Sequence, residues 1–322
     1  MQVRVAVDLM GSDSTPHEIF EAVQAVNQEL QSNDTLIVIA QHAVLPALRA
    51  ALRPHDKVIE FITTEESIDM EEAPLFAVRR KKNSSMAAGM RLLKDHAIDA
   101  FVSSGNTGAL VASAMLHLPM LPQIERPALQ VMMPTEKGKV AVLDVGANIG
   151  AKPEHLVNYA LLGSFYRQCL YGESKPTIGL LNIGVEEQKG TKELQDTYRL
   201  LQETFENRFL GNIEGREVFQ GKVDVLVTDG FTGNVFLKTS EGISTFLAQY
   251  LQTHFDVPAI VSHLHSKFNY SEHPGALLSG IDGIVIKCHG FSNQNALMNG
   301  IRGAFTLARS SLLPQLKSKL QS

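Results

Sequence analysis

The chain is poor in residues that build disulfide frameworks or metal clusters. It has only two cysteines, Cys169 and Cys288, in 322 residues. Two distant cysteines supply neither a disulfide framework nor the paired ligands of a zinc site, so the sequence predicts no bound metal and favours the reducing cytoplasm. No run of about 18 apolar residues occurs, which argues against a transmembrane helix.

Several catalytic motifs are also missing. No G-x-G-x-x-G follows the first predicted strand, and residues 184–191 place their lysine before the glycine, unlike a Walker A loop. Neither G-x-S-x-G nor H-E-x-x-H occurs, which disfavours a serine hydrolase or a zinc protease. Cys288 beside His289 suggests a thiol nucleophile with its base. Neighbours on a strand point to opposite faces, however, so the interpretation of Cys288 as a small buried residue is favoured. Because these motifs are missing, we predict no cofactor.

The composition is ordinary for a soluble globular enzyme. The chain is 44% hydrophobic and 20% charged, and its formal net charge of -5 disfavours general nucleic-acid binding. Residues 1–8 predict a strand rather than a signal peptide, because their apolar stretch is short and is broken by Arg4. A length of 322 residues leaves room for two domains or for one large α/β unit. We predict one α/β unit over residues 1–322, with room for a helical excursion near 245–275.

Short apolar strands alternate with helical spacing along the chain, which predicts a mostly parallel sheet covered on both faces. At least five of the strands end in loops of Gly, Asn, Asp and Lys. In open α/β sheets, ligands bind outside the carboxyl ends of the strands, so these loops predict one shared cleft. The predicted strands cover residues 3–7, 36–40, 58–62, 100–104, 140–143, 177–181, 223–228 and 284–286.

The stretch 222–234 is the strongest single candidate. A buried strand runs into a loop with two glycines, and helical spacing begins after Asn234. A glycine loop that leads into a helix start is suited to bind an anion, because free amides and the helix dipole converge there. An ordinary turn between a strand and a helix remains the alternative.

Eight loops follow one another in a recognisable order, at residues 8–13, 80–85, 104–110, 126–128, 143–148, 179–190, 229–234 with Lys238, and 286–290. In this order they resemble the PlsX family, the bacterial acyl-acyl carrier protein:phosphate acyltransferases. The resemblance implies a three-layer α/β/α fold like that of the phosphotransacetylase and isocitrate dehydrogenase group, in a homodimer. It also implies that a long acyl chain passes from acyl carrier protein to inorganic phosphate, giving acyl-phosphate for phospholipid synthesis.

The resemblance further implies a cytoplasmic enzyme that associates peripherally with the membrane and passes its product to a membrane glycerol-3-phosphate acyltransferase. Two alternatives stay open: a phosphotransacetylase-like enzyme acting on short acyl-CoA, and a non-catalytic adaptor for membrane or carrier protein. The chain departs from the family pattern at the rim of the predicted cleft, which bears on acyl-chain preference. The departures are Ser12, Gly150, Cys288, Phe291 and Asn293.

Attack of phosphate on a thioester needs no protein nucleophile, because phosphate is itself the nucleophile. The site has to bind and aim the phosphate and to stabilise the oxyanion. With the resemblance, Lys189 and Asn234 are assigned to that stabilisation, and His289 is a further acid/base or donor candidate. Lys189 could instead be a surface lysine at a helix entry, Asn234 an N-cap, and His289 a core residue. The predicted phosphate and substrate contacts are Gly105, Asn106, Thr107, Gly108, Asn148, Gly233 and Lys238.

Two surface segments complete the predictions. The basic run Arg79, Arg80, Lys81 and Lys82 is a candidate docking surface for the acidic carrier protein, although a solvated helix end is the alternative. A second segment places apolar residues on one helical face that could lie on a bilayer; a buried helix or a dimer seam would produce the same pattern. Its residues are Val257, Ile260, Val261 and Leu264.

Overall fold

The computed structural model describes residues 2–53, 56, 59–268, 275–288 and 294–321. The chain divides into two compact units, the first formed by Met1–Met120 and His273–Leu313 and the second by Leu121–Glu272 and Pro314–Ser322. The single unit predicted over the whole length stays a prediction. Both units follow the mostly parallel α/β pattern that the sequence predicts.

Strands and helices alternate along most of the chain. In chain order the elements are β1 (Arg4–Asp8), α1 (Pro16–Glu29), β2 (Thr35–Gln41), α2 (Leu45–Ala50), β3 (Ile59–Thr64), α3 (Pro74–Arg80), α4 (Ser85–Lys94), β4 (Ala100–Ser103), α5 (Thr107–His117), β5 (Ala128–Thr135), β6 (Gly138–Leu143), α6 (Pro153–Tyr171), β7 (Ile178–Asn182), α7 (Lys192–Phe205), β8 (Phe209–Glu214), β9 (Val225–Val227), α8 (Gly230–His254), α9 (Pro258–Phe268), β10 (Ala276–Ser279), β11 (Ile284–Lys287), α10 (Gln294–Arg309) and α11 (Leu312–Gln321). Short 3-10 helices cover Glu206–Arg208 and Gly215–Gln220.

In the first unit the strand order is β3-β2-β1-β4-β11-β10. All neighbouring pairs are parallel except β10 with β11. Every residue of β4 and β11 is buried, as expected for strands whose two faces are both covered by helices. Helix α1 starts with a capping box between Thr15 and Glu18. At the C-terminal end of α1, Glu29 forms a bidentate ion pair with Arg302 of α10 (2.6 and 2.8 Å).

In the second unit the strand order is β5-β6-β9-β7-β8, with β5 antiparallel to β6 and the other neighbours parallel. Strands β5 and β8 are absent from the sequence prediction, as is β10 in the first unit. Strand β5 is buried at all eight positions and contains a proline, so it shows neither alternation nor a clean β-branched run.

Helix α8 begins five residues earlier than the spacing predicts. Its N-cap is Asp229, whose carboxylate accepts hydrogen bonds from the Thr232 amide (2.9 Å) and hydroxyl (2.7 Å). The two glycines of the predicted loop, Gly230 and Gly233, therefore lie inside the first turns of the helix. The alternative that Asn234 caps the helix is wrong, because Asp229 already holds that position.

Glycine at 233 is required by close packing between α8 and the loop after β6. A Cβ at this position would lie 1.9 Å from the carbonyl oxygen of Asp144, whereas a Cβ at Gly242, further along the same helix, would meet nothing within 4 Å. The first contact is far below any allowed separation and involves backbone, which cannot move away as a flexible side chain could.

Alanine substitution at these two glycines should have opposite effects. We expect Gly233→Ala to lower the free energy of unfolding by at least about 2 kcal/mol, because the overpacking outweighs the helix propensity that alanine adds. Gly242→Ala should leave stability unchanged or raise it by up to about 1 kcal/mol. Urea denaturation of both variants measures the difference; equal stabilities would contradict the packing described for α8.

Candidate active site

A buried carboxylate organises the loop that follows β6. Asp144 Oδ1 accepts hydrogen bonds from the amides of Leu129 (3.0 Å), Gly146 (3.0 Å) and Ala147 (2.9 Å). Its Oδ2 accepts two more from Asn148, from the amide (2.8 Å) and from Nδ2 (2.9 Å). Burial raises the pKa of Asp144 above the usual aspartate value, and the hydrogen bonds from the Ala147, Gly146 and Leu129 amides and from the Asn148 side chain oppose that rise. Asp144 therefore fixes the shape of this loop.

The side-chain amide nitrogen of Asn148 is engaged within the fold. Asn148 is buried, and its Nδ2 also donates to Pro127 O (2.7 Å) and to the Tyr159 hydroxyl (3.0 Å). An amide nitrogen carries two N–H groups, and these contacts together with the one to Asp144 already occupy them. The side chain therefore positions the loop, and the predicted contact of Asn148 with phosphate or substrate stays a prediction.

The first turns of α8 lie against the same loop. The Gly233 amide donates to Asp229 O (2.9 Å) within the helix, so it is not available to phosphate as predicted. Asn234 is half-buried, and a Cβ on Gly146 would lie 3.5 Å from its Cγ. Lys238 follows one turn later and is exposed. The spacing of four residues places the Asn234 and Lys238 side chains on one side of α8, and Asn234 lies beside the loop that Asp144 holds.

Lys189 stands on the loop after β7. The Asn182 side chain holds this loop, because its Nδ2 donates to Lys189 O (3.1 Å) and to Asn212 Oδ1 (3.1 Å). The Lys189 side chain is 45% exposed, and its ammonium lies 4.0 Å from Glu186 Oε2. A pair this long and this exposed holds the side chain weakly. The backbone of Lys189 is thus fixed by a hydrogen bond, whereas its side chain is free to change rotamer toward a ligand.

A cavity of about 750 Å³ opens in the second unit between the loop after β7 and the start of α8. Its polar lining residues are Asn182, Thr191 and Glu193, close to Lys189 in the chain, and Asp229 and Thr232 at the first turn of α8. The rest of the lining is dominated by apolar side chains, and the sequence prediction did not include this cavity. The apolar lining residues include Leu156, Leu181, Ile183, Leu194, Phe231 and Val235.

In the first unit, the loop after β4 leads into α5. Asn106 caps this helix by accepting from the Ala109 amide (3.0 Å), and its Nδ2 donates to Met70 O (2.8 Å) and Glu72 O (3.1 Å). Both N–H groups of the Asn106 side chain are therefore engaged within the fold, and its predicted contact with phosphate or substrate stays a prediction.

The Gly105 amide donates to Ser103 Oγ (3.2 Å), so it too is engaged within the fold. Thr107 and Gly108 remain at the open start of α5. Their amides precede the first backbone bond of the helix, which the Leu110 amide makes to Asn106 O (2.9 Å).

The environment of Cys288 does not fit a catalytic cysteine–histidine dyad. Cys288 is 2% exposed, and burial raises the pKa of its thiol to about 11, so the thiol is neutral at physiological pH. His289 lies outside the described residues, as do Phe291 and Asn293. The favoured interpretation of Cys288 as a small buried residue is confirmed.

The predicted basic surface is only partly available. Arg79, Arg80 and Lys82 are exposed, and the Arg80 guanidinium lies 5.8 Å from the ring centroid of Phe76. Lys81 instead pairs with Glu72 and donates to Ser67 O (2.7 Å), which ties α3 to the preceding loop. Three of the four cations are therefore left for an external partner.

The predicted apolar face on α9 is mixed. Ile260 is 53% exposed, whereas Val257 and Leu264 are partly covered and Val261 is buried. Val261 therefore belongs to the interior and not to a surface patch. None of the described helices combines the length and the hydropathy needed to cross a bilayer.

Comparisons with known proteins agree with this architecture. The family described as "Fatty acid synthesis protein" matches residues 3–314. Proteins named "Phosphate acyltransferase" from Chlamydia caviae and Chlamydia pneumoniae are each 43% identical, with 99% of this chain and 100% of the relative covered. The structure of EutD phosphotransacetylase from Staphylococcus aureus has a TM-score of 0.61 at 17% identity, covering 96% of this chain and 94% of that one.

The last likeness shows the fold alone, while the first two show the family. The extent of the match excludes a resemblance confined to a few loops, since almost the entire chain is covered. The chain belongs to the fatty acid synthesis protein family, whose members with 41–43% identity are phosphate acyltransferase enzymes.

Proposed function

We propose that this enzyme transfers a long-chain fatty acyl group from acyl carrier protein to inorganic phosphate and releases acyl-phosphate for phospholipid synthesis. The observation that carries the proposal is the apolar cavity of the second unit, whose lining includes residues of the loop that carries Lys189 and of the start of α8. Its volume of about 750 Å³ lies within the usual range of small-molecule pockets. The apolar lining would hold the alkyl chain, and the thioester carbonyl would lie beside the polar lining residues.

The proposed chemistry is direct attack. A phosphate oxygen adds to the thioester carbonyl, the tetrahedral intermediate collapses, and the carrier thiolate leaves with the C–S electron pair. The enzyme has to aim the phosphate and stabilise the developing oxyanion, for which a cation and amide donors suffice. Lys189 and Asn234 are the proposed donors in the second unit, and Lys238 is a further cation on the Asn234 side of α8. No covalent enzyme intermediate is needed.

A phosphotransacetylase-like reaction on short acyl-CoA is the second candidate. The fold shared with EutD phosphotransacetylase favours it, although fold likeness does not select a substrate. The two candidates differ in the length of the acyl chain, and a cavity lined by six or more apolar side chains favours the longer one.

A homodimer would account for an exposed apolar stripe on the second unit. Helix α8 exposes Ile243, Phe246, Leu247 and Tyr250, whose exposed fractions are 46–62%. Their spacing places them along one stripe of the helix. Large contiguous apolar surfaces of this kind are characteristic of interfaces, and a second copy of the chain is the proposed occupant.

Carrier-protein docking is proposed for the exposed basic residues of the first unit. Arg79, Arg80 and Lys82 would attract the acidic carrier protein. The measurable sign is a Michaelis constant for acyl carrier protein that rises with ionic strength.

Membrane contact is proposed for the exposed apolar residues at the start of α9. Ile260, with the exposed Phe255 before it, would touch the bilayer where acyl-phosphate passes to a glycerol-3-phosphate acyltransferase. Sedimentation with vesicles of anionic lipid tests this contact, and loss of pelleting in Ile260→Asp is expected.

Replacing Lys189 should impair the reaction without unfolding the protein. We expect Lys189→Met to lower kcat/KM for phosphate-dependent loss of palmitoyl-acyl carrier protein thioester by about 100- to 1000-fold, the usual cost of one oxyanion donor. Lys192→Met is the matched control, because Lys192 is exposed three residues later and pairs with Asp196 (2.9 Å). Equal activities of the two variants would refute the role of Lys189.

Filling the cavity should discriminate between chain lengths. Val235 and Ile243 are both about half exposed on α8 (51% and 54%), but only Val235 lines the cavity. We expect Val235→Trp to raise the Michaelis constant at least about tenfold for a hexadecanoyl thioester and much less for a butanoyl one, because several methylenes lose their burial. Ile243→Trp should not change this ratio. The cavity is not the acyl site if Val235→Trp affects both thioesters equally.

A charge on α8 should separate the proposed dimer. We expect Phe246→Glu to sediment as a monomer at micromolar concentration, because a carboxylate would be buried without a partner in the seam. Phe76→Glu on α3 is the control, since the two rings are equally exposed (62% and 63%). A wild-type protein that already sediments as a monomer would contradict the dimer directly.

A further inference from the structure

A second cavity, of about 440 Å³, opens in the second unit at the amino ends of β7 and β8. Its walls are the C-terminal part of α6, the loop before β7, and the turn that joins α7 to β8. Among the described residues, none lines both this cavity and the one at the carboxyl ends of the strands, although α7 contributes to each. We call it the turn pocket, and its lining includes Phe165, Ser174, Lys175, Phe205, Glu206 and Arg208.

The turn pocket contains a guanidinium stacked on an aromatic ring. Arg208 lies over the ring of Phe205, with its Cζ 5.0 Å from the ring centroid. Phe205 is buried, whereas Arg208 is half-buried, so part of the guanidinium remains accessible to a ligand. A guanidinium is planar and stacks on flat rings, including nucleic-acid bases. A second ring, that of Phe165, is half-buried in the same pocket. The pocket therefore suits a flat aromatic ligand.

The cations of the turn pocket are not neutralised by nearby acids. Within the described part of the chain, the side chains of Lys175 and Arg208 form no ion pair and no hydrogen bond with an acid. Glu173, two residues before Lys175, is instead paired with Arg167 (2.6 Å). Glu206 lines the pocket, but it is exposed to solvent, where its charge is screened. The pocket therefore carries an excess of positive charge, which favours an anion.

The turn that carries Arg208 has an unusual backbone. Glu206 adopts φ 47° and ψ −122°, a conformation that residues with a side chain seldom occupy. Its amide donates to Gln202 O in α7, and its carbonyl accepts from the Phe209 amide, so hydrogen bonds on both sides hold the conformation. Such residues persist where the fold fixes them, and they are frequent in ligand-binding sites. The turn thus presents Phe205 and Arg208 on a fixed backbone.

We propose that the turn pocket binds a nucleoside monophosphate. The base stacks on the accessible face of the Arg208 guanidinium, and Lys175 and the Ser174 hydroxyl bind the phosphate group. A dianionic phosphate matches the excess of positive charge. The volume of about 440 Å³ lies toward the lower end of the range of small-molecule pockets, which favours one phosphate over a chain of three. This ligand is additional to the substrates of the proposed acyl transfer, which makes no use of the turn pocket.

Saturation-transfer NMR of the full chain, with adenosine monophosphate and with adenosine as ligands, tests the two contacts separately. We expect Lys175→Met to weaken binding of the monophosphate by about three- to tenfold and to leave adenosine binding unchanged, because only the nucleotide carries phosphate. Arg208→Ala should weaken binding of both ligands by at least about threefold, because both carry the base. Lys139→Met and Arg199→Ala are the matched controls, since both residues are exposed in the second unit and lie outside the lining.

The absence of adenosine monophosphate binding to the wild type at millimolar concentration would overturn the proposal, as would equal affinities of Lys175→Met and Lys139→Met for this ligand. Lys189→Met should bind the nucleotide as the wild type does. If Lys189→Met weakens binding and Lys175→Met does not, the nucleotide occupies the proposed phosphate site and the turn pocket is refuted. The lysine variants decide if Arg208→Ala fails to fold, because Lys175 and Lys139 are exposed.

Discussion

One buried carboxylate, that of Asp144, holds the candidate site of the second unit in shape because all of its acceptor positions are filled by hydrogen bonds. Asp144 accepts five hydrogen bonds from Leu129, Gly146, Ala147 and Asn148, and its own carbonyl oxygen forms the surface on which Gly233 packs. A carboxylate in the interior is tolerable only when its acceptors are filled, so the surrounding backbone has little freedom to rearrange. The position of Asn234 follows from this, because α8 can approach the loop closely only through glycine.

The same device recurs in the other loops. Asn182 holds the backbone of the Lys189 loop, Asp229 caps α8, and Asn106 both caps α5 and fixes the segment before α3. In each case a short polar side chain satisfies backbone groups, which leaves longer cationic side chains to reach outward. The division suits the proposed reaction, in which phosphate is both substrate and nucleophile: the loops would provide a rigid cradle, and the few mobile charges would act on the ligand.

Much of the fold follows from local pattern. The runs that became β1, β2, β4, β7 and β11 are short, apolar and bounded by glycine or polar residues, and both faces of such strands are covered in the structure. Strand β5 was missed because its pairing with β6 is antiparallel and its eight buried residues show no period. The start of α8 was misplaced because glycines at 230 and 233 indicate a loop, whereas tertiary packing requires them inside the helix.

By itself the sequence determined the alternating α/β pattern, the strand ends that carry polar loops, and the membership in a family that acts on acyl groups and phosphate. Only the tertiary structure decided which polar groups are engaged in hydrogen bonds within the fold. Asn106 and Asn148 donate to carbonyls 36 and 21 residues away, and no local spacing encodes such partners. The apolar cavity was decided in the same way, since its walls come from separate helices and loops that meet only when the sheet forms. Hydrogen-bond donors are few on each side chain, so their availability is fixed by long-range contacts rather than by residue type.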